Sequence, residues 1–121
     1  MMLDIDNYRK YKRGKLNNRN PLQIAKYYLR NWGYFEKNIL FLNDIEKEQA
    51  TKLFKALKHL TEEERAFLAS RYRLTSEQMK VISDKDIANK YEMTLLNYAE
   101  LRKGVEYKLF HYLKDDLPFI D

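Results

Sequence analysis

The apolar residues of this chain recur at the spacing of helices rather than in the strict alternation of strands. Four of them lie three or four positions apart and therefore share one helical face: Leu22, Ala25, Leu29 and Trp32. Asn20 and Pro21 precede this stripe and suit the capping and first helical positions, where the missing amide hydrogen of proline costs nothing. The pattern predicts a first helix that begins at Pro21 and is broken near Gly33.

A second helix is predicted over about residues 34–59. Its buried stripe would consist of five aliphatic residues: Ile39, Leu42, Leu53, Leu57 and Leu60. Asn43 offers an alternative, because it could cap a separate helix that carries Glu46 at its third position. A single helix of about 26 residues is long for a globular domain, so the sequence leaves both arrangements open.

The strongest helix start is the run L-T-E-E-E-R at residues 60–65. Thr61 and Glu64 have the spacing of a capping box, and the three glutamates suit the positive end of the helix dipole. We therefore interpret this acidic cluster as structural and not as a catalytic carboxylate pair. The helix should end near Arg73, and it should bury Ala66, Phe67 or Leu68, and Tyr72.

The C-terminal third predicts two capped helices. For residues 74–82 the sequence predicts a loop with a short helical turn. Ser83 then caps a helix over residues 84–91, and Thr94 caps a last helix of about residues 95–113. Gly104 inside the last helix predicts either a kink or a close packing contact. The inner face of this helix would contain Tyr98, Leu101, Val105, Leu109 and Tyr112. A short helix, a tight break and a longer capped helix are typical of a helix-turn-helix.

Composition narrows the fold class to all-α. Only three glycines and two prolines occur among 121 residues, too few for the turns of an all-β protein. Cysteine is absent, which excludes disulfides and thiolate metal sites. No apolar run is long enough to span a membrane, and the N-terminus lacks the pattern of a signal peptide. We expect four to five helices in a cytoplasmic protein that has no membrane partner.

Charge is concentrated at the N-terminus. Residues 1–30 carry eight cations and two acids, whereas the remainder of the chain is close to neutral and the total is +5. The stretch of residues 8–15 interleaves its cations with two tyrosines, which suits contact with a phosphate backbone. The alternative is a solvated arm that only keeps the protein soluble. We predict a flexible basic arm over residues 1–20, with four DNA contacts: Arg9, Lys10, Lys12 and Arg13.

Catalytic chemistry has little support in the sequence. His59 and His111 each lack a second metal ligand one helical turn away, and both are expected to be surface or half-buried structural residues. The three glycines are isolated, so no phosphate-cradling loop is formed. We therefore expect no enzyme activity, no metal site and no cofactor.

Several runs occur in the order found in a known superfamily: L-T-E-E-E-R, then R-Y at residues 71–72, then S-D-K-D-I-A at residues 83–88, then Tyr98 in the last helix. Residues 57–113 thereby resemble the fourth region of bacterial sigma factors and, within that superfamily, the ArpU/RinA-like regulators of phage late genes. The resemblance implies a DNA-binding activator of phage or prophage late transcription. Its partners would be double-stranded DNA and RNA polymerase or a sigma factor, in the cytoplasm of a bacterial host.

The resemblance also implies which residues face DNA. The family reads bases from positions that match Leu95, Leu96, Ala99 and Glu100, none of which is a strong base reader. The candidate DNA contacts in this region are Lys85, Lys90, Thr94, Leu95, Leu96, Asn97, Tyr98, Glu100, Arg102, Lys103 and, further along the last helix, Lys108. Alternatively, Leu95 and Leu96 form an apolar surface for a protein partner. The chain would then be a small interaction module that binds RNA polymerase, a sigma factor or another regulator without DNA.

These expectations divide the chain into four parts. The basic arm covers residues 1–20, and the helices of residues 21–59 either pack against the domain or form a homodimer interface. The helix-turn-helix domain covers residues 60–114, and a tail covers residues 115–121.

Overall fold

The computed structural model describes residues 3–11, 20–73 and 83–113, and within these ranges it contains helices and connections but no strand. A 3₁₀ helix, Ile5–Tyr11, precedes the first α-helix. Six α-helices follow: α1 (Pro21–Arg30), α2 (Trp32–Lys37), α3 (Asp44–Leu57), α4 (Glu62–Arg71), α5 (Asp84–Lys90) and α6 (Leu95–Leu113). The all-α prediction is confirmed, and the described ranges alone contain six α-helices where four or five were expected. The predictions for residues 12–19, 74–82 and 115–121 lie outside the described residues.

Helix α6 is the centre of the fold. It contacts the 3₁₀ helix, α1, α3, α4 and α5. Its buried stripe is almost inaccessible to solvent and consists of Tyr98, Leu101, Val105, Leu109 and Leu113. Four of these residues are those predicted from the spacing, whereas the predicted Tyr112 is only partly buried. None of the helices in the described ranges is long and apolar enough to cross a membrane.

The first helix begins as predicted and ends earlier. The Asn20 side chain accepts a hydrogen bond from the Leu22 amide, and Pro21 occupies the first helical position. The break comes at Asn31, whose side chain donates to the carbonyl of Tyr27 at 2.8 Å. Gly33 lies buried inside α2 and is not the breaking residue, so its predicted role is wrong.

The prediction of a single helix over residues 34–59 is also wrong. Helix α2 ends at Lys37, and the capping box of Asn43 begins α3: the Glu46 amide donates to the Asn43 side chain at 2.8 Å, and the Asn43 amide donates to Glu46 at 3.1 Å. The connection is held to the core by Leu42, which is buried. Because no helix runs through Ile39, this residue is 48% exposed instead of buried.

The capping box at Thr61 is confirmed, and Glu64 does more than cap. Its amide and side chain exchange hydrogen bonds with Thr61 at 3.1 and 2.8 Å. The carboxylate, which is 3% exposed, also accepts from the Tyr8 hydroxyl at 2.6 Å and from Lys108 Nζ at 2.8 Å. Burial alone would raise the pKa of Glu64, but these hydrogen bonds outweigh burial and lower it. In the same helix Phe67 and Leu68 are buried, together with Tyr72 at its end, whereas Ala66 is exposed.

The N-terminal segment is folded where a flexible arm was predicted. Tyr8 is 5% exposed, because its side chain lies against Gly104 of α6 while its hydroxyl reaches Glu64. A Cβ atom at Gly104 would lie only 2.7 Å from the Tyr8 Cβ. Gly104 is therefore the close packing contact that was one of its two predicted roles. The arm prediction is wrong for residues 5–11, because the buried tyrosine anchors them to the helical body.

Candidate functional site

The pair formed by α5 and α6 is the best-defined candidate site, and both of its predicted caps are confirmed. The Ser83 hydroxyl accepts from the Asp86 amide and the Thr94 hydroxyl from the Asn97 amide, each at 3.1 Å. Between the helices, the amide of Met93 donates to the carbonyl of Ala88 at 2.9 Å. A second turn bond runs from the Glu92 amide to the Asn89 carbonyl at 3.1 Å. These two bonds form a Schellman motif, which turns the chain sharply from α5 into α6.

Glu92 occupies the one position of this turn that favours glycine. Its φ is +57°, and no other non-glycine residue in the described ranges has a positive φ. An L-residue with a side chain pays about 1 kcal/mol or more for this conformation, whereas glycine does not.

We expect Glu92→Gly to raise the free energy of unfolding by up to about 1 kcal/mol, because the relief of the left-handed strain exceeds the extra chain entropy of glycine. Chemical denaturation of the variant and the wild type measures this difference. The matched control is Glu100→Gly, which places glycine at an exposed position within the first half of α6 and should cost about 1 kcal/mol. A destabilised Glu92→Gly variant would contradict the strain argument.

An ion-pair network fixes the orientation of α5 and α6 on α4. The Asp84 carboxylate at the start of α5 accepts from Arg71 of α4 and from Arg102 of α6, both at 2.9 Å. Burial of Asp84 opposes ionisation, but the two guanidinium groups outweigh it and lower the pKa of this carboxyl. Because three helices contribute one charged group each, the network sets the geometry of the pair.

Glu106 extends this network into the core. It is fully buried, accepts a hydrogen bond from the Tyr72 hydroxyl, and lies 3.4 Å from Arg102 Nε. Burial raises the pKa of the Glu106 carboxyl, and the hydrogen bond from Tyr72 and the charge of Arg102 oppose that shift only in part. Burial of this carboxyl group therefore costs free energy, and the surrounding donors offset part of that cost.

Two residues predicted to contact DNA are part of the core. Tyr98 has no exposed surface and packs against Phe67 with ring centroids 5.4 Å apart and ring planes tilted by 59°. Arg102 is 8% exposed and is committed to Asp84 and Glu106. Both assignments are wrong, because a side chain that fastens α6 to its neighbours cannot also reach a base or a phosphate. The assignment of Lys108 is wrong for the same reason, since its ammonium is bound to Glu64 at 2.8 Å and its side chain is only 15% exposed.

The other residues predicted on this pair lie at the surface. Leu95 is 51% and Leu96 71% exposed at the start of α6. Lys103 lies two turns further along, with its ammonium 3.9 Å from the Glu100 carboxylate. Exposed positions are also occupied by Lys85, Lys90, Thr94, Asn97 and Glu100. The α5–α6 pair therefore presents the first two turns of α6 to solvent.

The exposed charges of the pair balance one another. The cations are Lys85, Lys90 and Lys103, and the acids are Asp86, Glu92 and Glu100. A surface that binds DNA through phosphate contacts alone would carry a net positive charge. The exposed face of the α5–α6 pair therefore has an apolar centre and isolated cations at its edges.

The N-terminal segment brings one further cation to α6. Arg9 borders a cleft of about 360 Å³ whose walls include Glu100, Lys103 and Gly104 of α6. Its guanidinium also pairs with Asp6 at 3.1 Å on the surface. Lys10 is exposed and lies over the ring of Tyr11. The predicted contacts Lys12 and Arg13 lie outside the described residues.

A cluster of basic and aromatic residues at the opposite end of α6 was missed by the sequence reasoning. The rings of His59 and Tyr112 stack with centroids 4.2 Å apart, and the ring centroid of His111 lies 5.0 Å from that of Tyr112. Lys55 and Lys58 border the adjoining cleft of about 340 Å³. With a rise of about 1.5 Å per residue, this cluster lies about 25 Å along α6 from Leu95. Its members come from distant parts of the chain, so no local pattern could have revealed it.

No family model matches the chain, and no curated protein or solved structure is significantly similar to it. In the three described ranges, no three His, Asp or Glu side chains are grouped so that they could hold a metal ion.

Proposed function

We propose that this protein binds duplex DNA through the first two turns of α6 and regulates transcription. The observation that carries the proposal is the α5–α6 pair: two capped helices joined by a tight turn, braced on α4, with the start of the second helix exposed. We interpret this arrangement as a helix-turn-helix, in which the second helix would enter the major groove and the first would support it. The sigma-like resemblance adds the role in transcription, with late phage genes as the target.

The exposed side chains suggest a division of labour. Asn97 is a polar residue able to hydrogen-bond a base edge, while Leu95 and Leu96 suit the methyl groups of thymine. Lys85 and Lys90 on α5 would contact the flanking phosphates, and Lys103 would do so from α6. The amides at the capped start of α6 add donors for a further phosphate.

A second candidate function is a protein-docking module, which would bind RNA polymerase, a sigma factor or another regulator without DNA. The balanced charges of the pair favour it, as do the exposures of Leu95 and Leu96. An apolar centre with a polar rim is typical of protein interfaces. Neither candidate assigns a catalytic role, a metal or a cofactor to the described residues.

Removal of two lysines from the face separates the candidates. Selection from a pool of random duplexes should yield a preferred DNA site for the wild-type protein. We expect Lys85→Gln with Lys90→Gln to weaken binding to that site about 10-fold near physiological salt. It should also flatten the plot of log K against log salt by up to about two units, because each lost phosphate contact contributes about 0.9. Fluorescence anisotropy over a salt series measures both quantities.

The matched control is Lys55→Gln with Lys58→Gln, which removes the same charge at the other end of α6. Its salt slope should equal that of the wild type. Failure to select any sequence, or equal salt slopes for all three proteins on the selected site, would contradict the DNA proposal. In that case Leu95→Ser with Leu96→Ser should abolish binding to purified RNA polymerase or a sigma factor, which would support the docking module.

A further inference from the structure

Four large apolar residues are exposed in the connection between α2 and α3 and in the first turn of α3, and they form the apolar corner: Ile39, Leu40, Phe41 and Ile45. Leu40 is 83% and Phe41 is 84% exposed. Single exposed apolar residues are common on soluble proteins, whereas a contiguous patch of this kind marks an interaction surface. The α5–α6 pair does not include any residue of this corner.

The apolar corner is held in a fixed conformation. Leu42 anchors its middle in the core, and the amide of Phe41 donates to the carbonyl of Asn38 at 2.8 Å. The capping box of Asn43 closes its far end. A surface that is already ordered loses little conformational entropy when a partner binds, so the corner is suited to association.

Two tyrosines continue this surface along α3. Tyr34 is 43% exposed and donates to Glu46, and Tyr27 is 47% exposed and donates to Gln49, one turn beyond Ile45. A large apolar or aromatic residue presents about 200 Å² when fully exposed, so the six residues together present roughly 700 Å². Two such surfaces would bury about 1,400 Å², which lies within the range of about 1,200–2,000 Å² found for stable protein interfaces.

The charges at the rim indicate the partner. Lys37 is exposed at the end of α2, two residues before Ile39, and Asp44 is exposed at the start of α3, next to Ile45. If a two-fold axis places the corner of one chain against that of another, Lys37 of each copy meets Asp44 of the other. We infer that the apolar corner is the interface of a symmetric homodimer of this chain. This inference does not rest on DNA binding, since it uses residues of a different surface.

Sedimentation of the full chain between about 1 and 200 μM tests the inference. We expect a concentration-dependent monomer–dimer equilibrium for the wild type, and monomer at every concentration for Leu40→Ser with Phe41→Ser. Both side chains are more than four-fifths exposed, so the variant should keep the helical circular-dichroism spectrum of the wild type. The matched control is Leu95→Ser with Leu96→Ser, which removes exposed apolar residues elsewhere and should dimerise as the wild type does.

A charge swap tests the two-fold arrangement. Lys37→Glu should weaken dimerisation several-fold at low salt, because it places two acids together, and Asp44→Lys added to it should restore the dimer. A wild type that stays monomeric at 200 μM would overturn the inference and leave the corner to a different protein. Dimerisation that survives Leu40→Ser with Phe41→Ser, or that is lost in the Leu95/Leu96 control instead, would overturn it as well.

Discussion

Replacing Gly104 with alanine should destabilise the protein by up to about 2 kcal/mol, although alanine is the better helix former. Inside a helix, alanine is favoured over glycine by about 1 kcal/mol. The new methyl group would, however, lie 2.7 Å from the Tyr8 Cβ and 3.1 Å from its Cγ. A Cβ atom cannot rotate away as the end of a long side chain can, so the backbone of the 3₁₀ helix must move. Overpacking of this kind typically costs about 1–3 kcal/mol.

The effect of Gly104→Ala should also be measured in a protein that already carries Tyr8→Gly. Tyr8→Gly removes the atoms that clash, and alone it should cost about 3–5 kcal/mol through loss of a buried aromatic ring. In this background Gly104→Ala should become stabilising by about 1 kcal/mol, since only its helix propensity remains. Urea denaturation of the four proteins gives the complete double-mutant cycle. If Gly104→Ala has the same effect in both backgrounds, the contact with Tyr8 does not explain the glycine.

The sequence predicted best what depends on neighbours along the chain. The capping residues Asn20, Thr61, Ser83 and Thr94 were all found, because each acts on amides two or three residues away. The helical period also identified the inner face of α6. Both signals are local, so they are readable without any knowledge of the tertiary structure.

The errors concern contacts between distant segments. Arg102 looks like a surface residue of a recognition helix, but it meets Asp84 and Glu106. The helical period placed Tyr98 on the inner face, where it packs on Phe67, and only its assignment as a DNA contact was wrong. The chain around Tyr8 looks like a basic arm because the residues that anchor it, Glu64 and Gly104, lie 56 or more positions away. Charged and polar residues are mostly exposed in proteins, so a buried ion pair shows no signature in the sequence.

The unpredicted burial of Arg102 changes how the proposed function can be tested. Charge reversal at this position would place a carboxylate beside Glu106 and Asp84 and should unfold the domain. Loss of binding in such a variant would say nothing about DNA. Lys103, whose side chain is 44% exposed, is the residue of this turn whose charge can be changed without disturbing the core.

Arg102→Leu should lower the free energy of unfolding by about 3–5 kcal/mol at neutral pH, because it leaves the buried Glu106 carboxylate without its cation. The loss should grow as the pH rises. Burial raises the pKa of Glu106 in the folded state above its unfolded value. The stability linked to this group is therefore fully present below the unfolded pKa and is lost as the pH rises through the folded pKa.

Removal of the cation raises that folded pKa further, so Arg102→Leu should be markedly closer to the wild type at pH 5 than at pH 8. Glu106→Gln added to Arg102→Leu should recover part of the stability at pH 8, since glutamine can still accept the hydrogen bond of Tyr72 and carries no charge. It should also remove the additional pH dependence. Denaturation of the three proteins between pH 5 and 8 measures both effects. An equal loss at both ends of this range would show that the cost of Arg102→Leu comes from Asp84 and packing rather than from a buried Glu106 charge.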